Sequence, residues 1–162
     1  MNTRSVSTLS WTIVYDTIYG CQDRKDDMTA GVKSTSILFG DSIRQILIGF
    51  AAVFLACMAY AGFLNHQGVI NGTSDYVALL LTPNTGTPFF IVSVGGAGLY
   101  FTWQFLVWNV NDPQDCGAKF QVRLPDTSGT QSDCFVQGNG NMGYIVWSGM
   151  LIDYYLKTRG VN

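Results

Sequence analysis

From Ile46 to Leu64 the chain runs for nineteen residues without a charged side chain. As a helix rising ~1.5 Å per residue, this stretch is about 28 Å long, close to the ~30 Å hydrocarbon core of a bilayer. A second uncharged run, Phe89 to Val110, covers twenty-two residues. A water-soluble helix shows a polar stripe recurring every ~3.6 residues, and neither run has one. With 48% hydrophobic and only 12% charged residues, the chain is also poor in charge for a soluble domain. The expectation is an all-α fold: a multi-pass transmembrane helical bundle over residues 1–162.

Four candidate membrane helices follow, over 5–20, 43–64, 89–110 and 142–156. The first carries Asp16 at a depth where a carboxylate is costly, which makes it a functional suspect. The last is short and contains Asp153. Met1–Arg4 is too short for a signal or transit peptide. Ser34/Thr35 and Asp41/Ser42 read as helix caps. Pro83–Pro88 ends with Thr87 as a cap and Pro88 opening the next helix. The small residues Ser93, Gly95, Gly96, Ala97 and Gly98 would let another helix approach closely. Tyr100, Trp103 and Trp108 read as an interfacial aromatic belt. Four crossings put Arg24, Lys25, Lys33, Lys119 and Arg123, with Arg44 at the edge, on one face, and only Arg4, Lys157 and Arg159 on the other. That bias turns the first polar segment toward the cytosol or matrix.

This segment, Tyr15 to Asp27, holds four of the eleven acidic residues. On a continuous helix Asp16, Asp23 and Asp27 fall within about 40° of one another, with Tyr19 on the edge of the same stripe. Carboxylates this close repel unless a cation lies between them. Oxygen ligands without His or Cys favour a hard ion, Mg²⁺ before Ca²⁺. The competing reading is a solvated helix end in which Arg24 and Lys25 pair with their neighbours.

Other features read as structural. Gly138-Asn139-Gly140-Asn141-Met142-Gly143 has dinucleotide-type spacing, but with no strand before it and no α/β unit around it the stretch reads as a flexible lead-in to the last span. Cys21, Cys57, Cys116 and Cys134 lack metal-type spacing and are expected as free thiols. His66 and the sequon Asn71-Gly72-Thr73 fall in a short polar turn on the opposite face. Asn111-Asp112-Pro113-Gln114-Asp115 reads as a turn. A net charge of −2 without a basic cluster argues against nucleic acid as a partner.

Tyr15-Asp16-Thr17-Ile18-Tyr19, Gln22-Asp23-Arg24-Lys25-Asp26-Asp27 and Gly31-Val32-Lys33-Ser34-Thr35-Ser36 with Phe39-Gly40 together resemble the second aspartate-rich motif of the UbiA family. These are intramembrane aromatic prenyltransferases, and the likeness is to 4-hydroxybenzoate polyprenyltransferases and meroterpenoid enzymes. Pro113–Phe120 and Gly143–Gly149 resemble the segment before the family's final helix and that helix's start, with Gln121–Cys134 as an insertion. The resemblance implies transfer of an isoprenyl group from a prenyl diphosphate to an aromatic acceptor, in ubiquinone or meroterpenoid biosynthesis. It implies Mg²⁺ held by Asp23 and Asp27, with Asp26 accessory. It implies Lys33, Arg24 and Lys119 toward the diphosphate, and Asp16 and Tyr19 shaping the pocket above. Family members have about nine membrane helices and a first motif, Asn-Asp-x-x-Asp-x-x-x-Asp, on an early one. That half has no counterpart here, and Asn111-Asp112-x-x-Asp115 only mimics its opening. The chain thus resembles a C-terminal half, of little activity alone, needing the missing N-terminal half or another membrane chain within the lipid bilayer. The alternative is an inactive fragment or a non-catalytic membrane subunit. Both the inner mitochondrial membrane and the endoplasmic reticulum fit the sequence.

Overall fold

The structure is a computed structural model and describes residues 3–66, 88–112, 116, 121–123 and 135–159. Its elements are α1 (Thr3–Gly20), α2 (Arg24–Ala30), α3 (Thr35–Phe39), a 3₁₀ turn (Gly40–Ser42), α4 (Ile43–His66), α5 (Phe89–Val107), β1 (Gln121–Arg123), β2 (Phe135–Gln137) and α6 (Gly138–Thr158). The fold is helical. One small departure from an all-α chain is the antiparallel pairing of β1 with β2, in the register Gln121 with Gln137 and Arg123 with Phe135.

The core follows the helical period. Buried positions on α1 and just beyond it are Ser10, Val14, Thr17, Ile18 and Cys21, and those on α4 are Ile43, Leu47, Ala51 and Phe54. Steps of three and four residues keep each set on one face, so α1 and α4 pack along their length. The α5 stripe is Phe89, Ser93, Ala97, Phe101 and Phe105, continued by Trp108. Its rings join the helices: Phe101 meets Phe54 edge-on at 5.9 Å and stacks on Phe105 at 6.0 Å. The outward faces carry Ile48, Val53, Ile91, Leu99 and Leu106, all exposed. By length and composition, the helical stretches Thr35–Asn65 and Phe89–Val107 are apolar enough to cross a membrane. α1 and α6, with 18 and 21 residues, reach about 27 and 31 Å but carry more polar side chains.

The small residues of α5 make a close seam with α6. Ser93 Oγ donates to the Val146 carbonyl at 2.7 Å. A Cβ on Gly149 would collide with Ser93 Oγ and lie 2.8 Å from the Ser93 backbone nitrogen, and one on Gly96 would lie 2.7 Å from Ile145. The first turns of α5, Phe89–Gly95, are π-helical, and the Gly96 amide reaches back to the Ile91 carbonyl. Pro88 leads into them in helical geometry.

Three local expectations are corrected. α5 stops at Val107, and Trp108 turns extended (φ −71°, ψ 126°). Its indole is therefore 1% exposed rather than in an interfacial belt, whereas Trp103 is 53% exposed. Gly138–Met142 is helical, not a flexible lead-in: Met142 is buried in the core, and this packing outweighs the poor helix propensity of glycine and asparagine. A strand, β2, does precede those glycines, but in an antiparallel pair that offers no βαβ crevice for a dinucleotide. Cys21, Cys57 and Cys116 are free thiols. Cys134, the sequon at Asn71, and Thr87 lie outside the described residues.

Candidate functional site

The acidic stretch does not continue α1. The Cys21 amide is shared between the Thr17 and Ile18 carbonyls at 3.2 and 3.3 Å, and the Gln22 amide reaches Tyr19 at 3.2 Å. The last turn thus tightens and ends, and helix geometry restarts at α2 with Asp23 as its N-cap (φ −99°, ψ 7°). The single stripe expected for Asp16, Asp23 and Asp27 on a continuous helix therefore does not form. Asp16 and Tyr19 stay exposed on the end of α1, while Asp23, Arg24, Asp26 and Asp27 cluster in the break and the first turn of α2. The Asp27 amide bonds the Asp23 carbonyl at 2.8 Å, placing these two one turn apart. Asp26 and Asp27 also lie where the helix dipole favours negative charge.

Asp23 and Asp26 are exposed, and Asp27 and Arg24 half-buried. Among the described residues the one ion pair is Lys157–Asp153 at 3.8 Å, far along α6. Neither Arg24 nor Lys25 pairs with its acidic neighbours, so the solvated-pair reading of this stretch loses its main support. Among the described residues no three His, Cys, Asp or Glu side chains converge as a metal cage. The donor type suits Mg²⁺; the donors gathered among the described residues do not enclose it.

The chain then reverses. Gly31 adopts left-handed geometry (φ 73°), and both its amide and that of Val32, at 2.9 Å, bond the Asp27 carbonyl. This closes α2 with a Schellman-type cap, which glycine adopts without strain. Lys33, exposed, follows the reversal, and Ser34 is extended before α3. The return segment lands on α1. Thr17 Oγ1 donates to Thr35 Oγ1 at 2.9 Å, Ser36 Oγ donates to the Gly20 carbonyl at 3.1 Å, and Ser34 and Ser36 hydroxyls meet at 2.9 Å. Ser34 is the N-cap by position, but its side chain makes no capping bond.

On the departing side, Cys21 is buried and hydrogen-bonded to Cys116. That bond, then burial, then the neighbouring sulfur push the Cys21 thiol well above its usual range, against the pull of Arg24. Burial and a raised thiol both disfavour the thiolate that a nucleophile requires. Cys116 closes the turn after α5. Its amide bonds the Asp112 carbonyl at 3.0 Å, and its sulfur accepts from Trp108 Nε1 at 3.3 Å. Arg44 donates to the Trp108 carbonyl, tying α4 to the same turn. The Asn111–Asp112 stretch is a turn, and Lys119 lies outside the described residues. Sequence reasoning missed the buried hydroxyls of Thr17 and Ser36 and the Cys21–Cys116 contact. Thr17 could have been found, since it sits among Val14, Ile18 and Cys21 on an otherwise apolar stripe.

About nine residues before Gly20, some 14 Å along α1, an apolar cleft of about 370 Å³ opens between α1, α4 and α6. It is lined by Trp11, Phe54, Met58, Met142, Val146 and Met150, among others.

Residues 5–124 match the model of the UbiA prenyltransferase family. The chain is 37% identical over 150 residues to UbiA prenyltransferase claS of Ampulloclitocybe clavipes, a match covering 93% of this chain and 37% of that protein. It is 30% identical to the mitochondrial 4-hydroxybenzoate polyprenyltransferase of Schizosaccharomyces pombe, over 94% of this chain and 33% of that one. It is 31% identical to 4-hydroxybenzoate geranyltransferase 2 of Lithospermum erythrorhizon, over 71% of this chain and 31% of that one. The chain thus spans about a third of the length of the curated relatives it matches. No solved structure matches it.

Proposed function

This chain belongs to the UbiA prenyltransferase family, and on that premise we propose that it works in transferring a prenyl group from a prenyl diphosphate to a 4-hydroxybenzoate-like aromatic acceptor. The observation that carries the reading is the α1–α3 excursion. It presents Asp23, Asp26 and Asp27 without pairing them to Arg24 or Lys25, and returns through Lys33 at a fixed distance in the chain. Names of relatives as 4-hydroxybenzoate prenyltransferases support the acceptor class.

In this reading Asp23 and Asp27, with Asp26, supply carboxylates for Mg²⁺, which when bound neutralises charge on a departing diphosphate. Lys33 and Arg24 meet the diphosphate oxygens, and Asp16 and Tyr19 line the approach from α1. As the allylic C–O bond breaks, its electron pair leaves with the diphosphate; the ring carbon then bonds to the allylic carbon and loses its proton. The apolar cleft beside Trp11 suits a prenyl tail and keeps water from the cation. α1, α4, α5 and α6 are taken as four bilayer crossings, with the acidic excursion on the cytosolic or matrix face. Because the described carboxylates do not close a cage, the remaining acidic ligands come from outside these residues, through an N-terminal half or a partner membrane chain. The same observation favours a second reading, a non-catalytic or inactive membrane subunit that retains the diphosphate-binding turn.

The test is transfer from geranyl diphosphate to 4-hydroxybenzoate in membranes, with this chain alone and with it co-expressed beside the N-terminal part of a family relative. Transfer should appear only in the combination and only with Mg²⁺. Turnover by the 162-residue chain alone would remove the need for outside ligands. Silence in both would leave the subunit reading standing.

A further inference from the structure

The acidic excursion has no hydrophobic anchor of its own. No residue of α2 is buried, so the placing of Asp23 to Lys33 depends on how the excursion is fastened at its two ends. One fastening is Cys21, buried beneath the departure. The other is a set of hydroxyls. Thr17 and Ser36 are both 0% exposed, and each carries a polar atom into a place that an apolar side chain of the same size would fill. Buried hydroxyls are tolerated when every one is hydrogen-bonded, and these are. Ser36 spends its single proton on the Gly20 carbonyl, one of the acceptors that the end of α1 leaves without a helical partner. The contact between Ser34 and Ser36 therefore has Ser34 as donor. Thr17 reaches Thr35 directly. Thr35 and Ser36 are thus bonded directly to the last turn of α1, and Ser34 is tied to it through Ser36.

We propose that Thr17, Thr35 and Ser36 are positioning residues, a hydroxyl latch that seats the Gly31–Ser34 return and so holds Lys33 and the acidic turn in register for a diphosphate. The role rests on the diphosphate reading of the excursion. Hydroxyls suit the task better than apolar contacts because a hydrogen bond fixes direction as well as distance. The latch touches neither substrate nor metal: it acts through Lys33 and the carboxylates.

The test uses the chain assembled with the N-terminal part of a family relative in nanodiscs, with inorganic pyrophosphate and Mg²⁺ as the probe and the acetylation of Lys33, read by mass spectrometry, as the signal. Pyrophosphate should protect Lys33 in the unsubstituted chain. Thr17→Val and Ser36→Ala should raise the concentration giving half protection about tenfold, the loss of one well-made buried hydrogen bond, and Thr17→Ser should restore it. A role in folding alone would lower the melting temperature of the variants and leave the half-protection concentration of the folded fraction unchanged. Thr35→Val removes the Thr17 bond from the exposed side and leaves no cavity, so it serves if Thr17→Val unfolds. Equal half-protection in all variants would overturn the latch and leave the diphosphate reading intact. No protection in the unsubstituted chain would overturn that reading, and the latch's role with it.

Discussion

The α5–α6 seam and the α1–α3 excursion both put polar atoms at the edge of an apolar core, and they treat them in opposite ways. In the seam, Ser93 is buried and bonded to the Val146 carbonyl, and Gly149 and Gly96 let the two backbones meet with no room for a methyl group. In the excursion the hydroxyls beneath are satisfied, but the exposed Asp23 and Asp26 and the half-buried Asp27 lie beside Arg24 and Lys25 without pairing to them. Satisfied polar groups hold a fold together, whereas a cluster of like charges kept together at an electrostatic cost points to a ligand. Asp153, 6% exposed and 3.8 Å from Lys157, differs from Asp23 and Asp27 in having a cation paired with it among the described residues.

The largest expected effect breaks function and spares the fold. In the assembled enzyme, Asp23→Asn or Asp27→Asn should lower prenyl transfer by about 10²–10³-fold, as removal of one group acting on developing charge does elsewhere. The thermal midpoint should not move, because neither side chain has a partner among the described residues. Unchanged rates would return the acidic turn to a solvated surface. The seam should respond in reverse. Gly149→Val drives a side chain into Ser93 and should cost about 1–3 kcal/mol in stability, read as a lower melting temperature in detergent. A melting point that stays put would mean the helices do not approach as closely as the seam requires. Ser93→Ala removes one buried hydrogen bond and should cost about 1 kcal/mol by the same measurement. The smallest effect belongs to Gly31→Ala. Its left-handed geometry makes a Cβ unfavourable by about 1 kcal/mol, and with α2 unanchored the change should speed hydrogen exchange in α2 while leaving the global melt unaltered.

Much of this contrast was legible in the residues. The uncharged runs at Ile46–Leu64 and Phe89–Val110 mark α4 and α5 because a helix buried or lipid-facing on all sides has no use for charge. The cluster from Ser93 to Gly98 announced a close approach, and α6 is what approaches. The acidic motif was visible as composition, but its geometry was not. A period of ~3.6 residues places Asp16, Asp23 and Asp27 on one stripe only if the helix continues. Whether it continues is decided by Gly20, by the shared Cys21 amide and by the landing of Ser36, a residue sixteen positions on. Trp108 was misplaced for a related reason: aromatic residues near a helix end suit an interface and a core equally, and the turn into Cys116 settles which. The Cys21–Cys116 contact joins residues too far apart in sequence for any local pattern to reveal.

The central claim is that the turn at Asp23–Asp27 is a ligand site and not a charged helix end. Its most direct test is Mn²⁺ binding to the chain assembled with the N-terminal part of a family relative in nanodiscs with pyrophosphate present, read as loss of the free-ion electron paramagnetic resonance signal. The account predicts that the unsubstituted chain binds Mn²⁺, that Asp23→Asn and Asp27→Asn each weaken binding about tenfold through loss of one carboxylate ligand, and that Asp153→Asn binds as the unsubstituted chain does. Equal binding by all four proteins, or none by the unsubstituted chain, would contradict it.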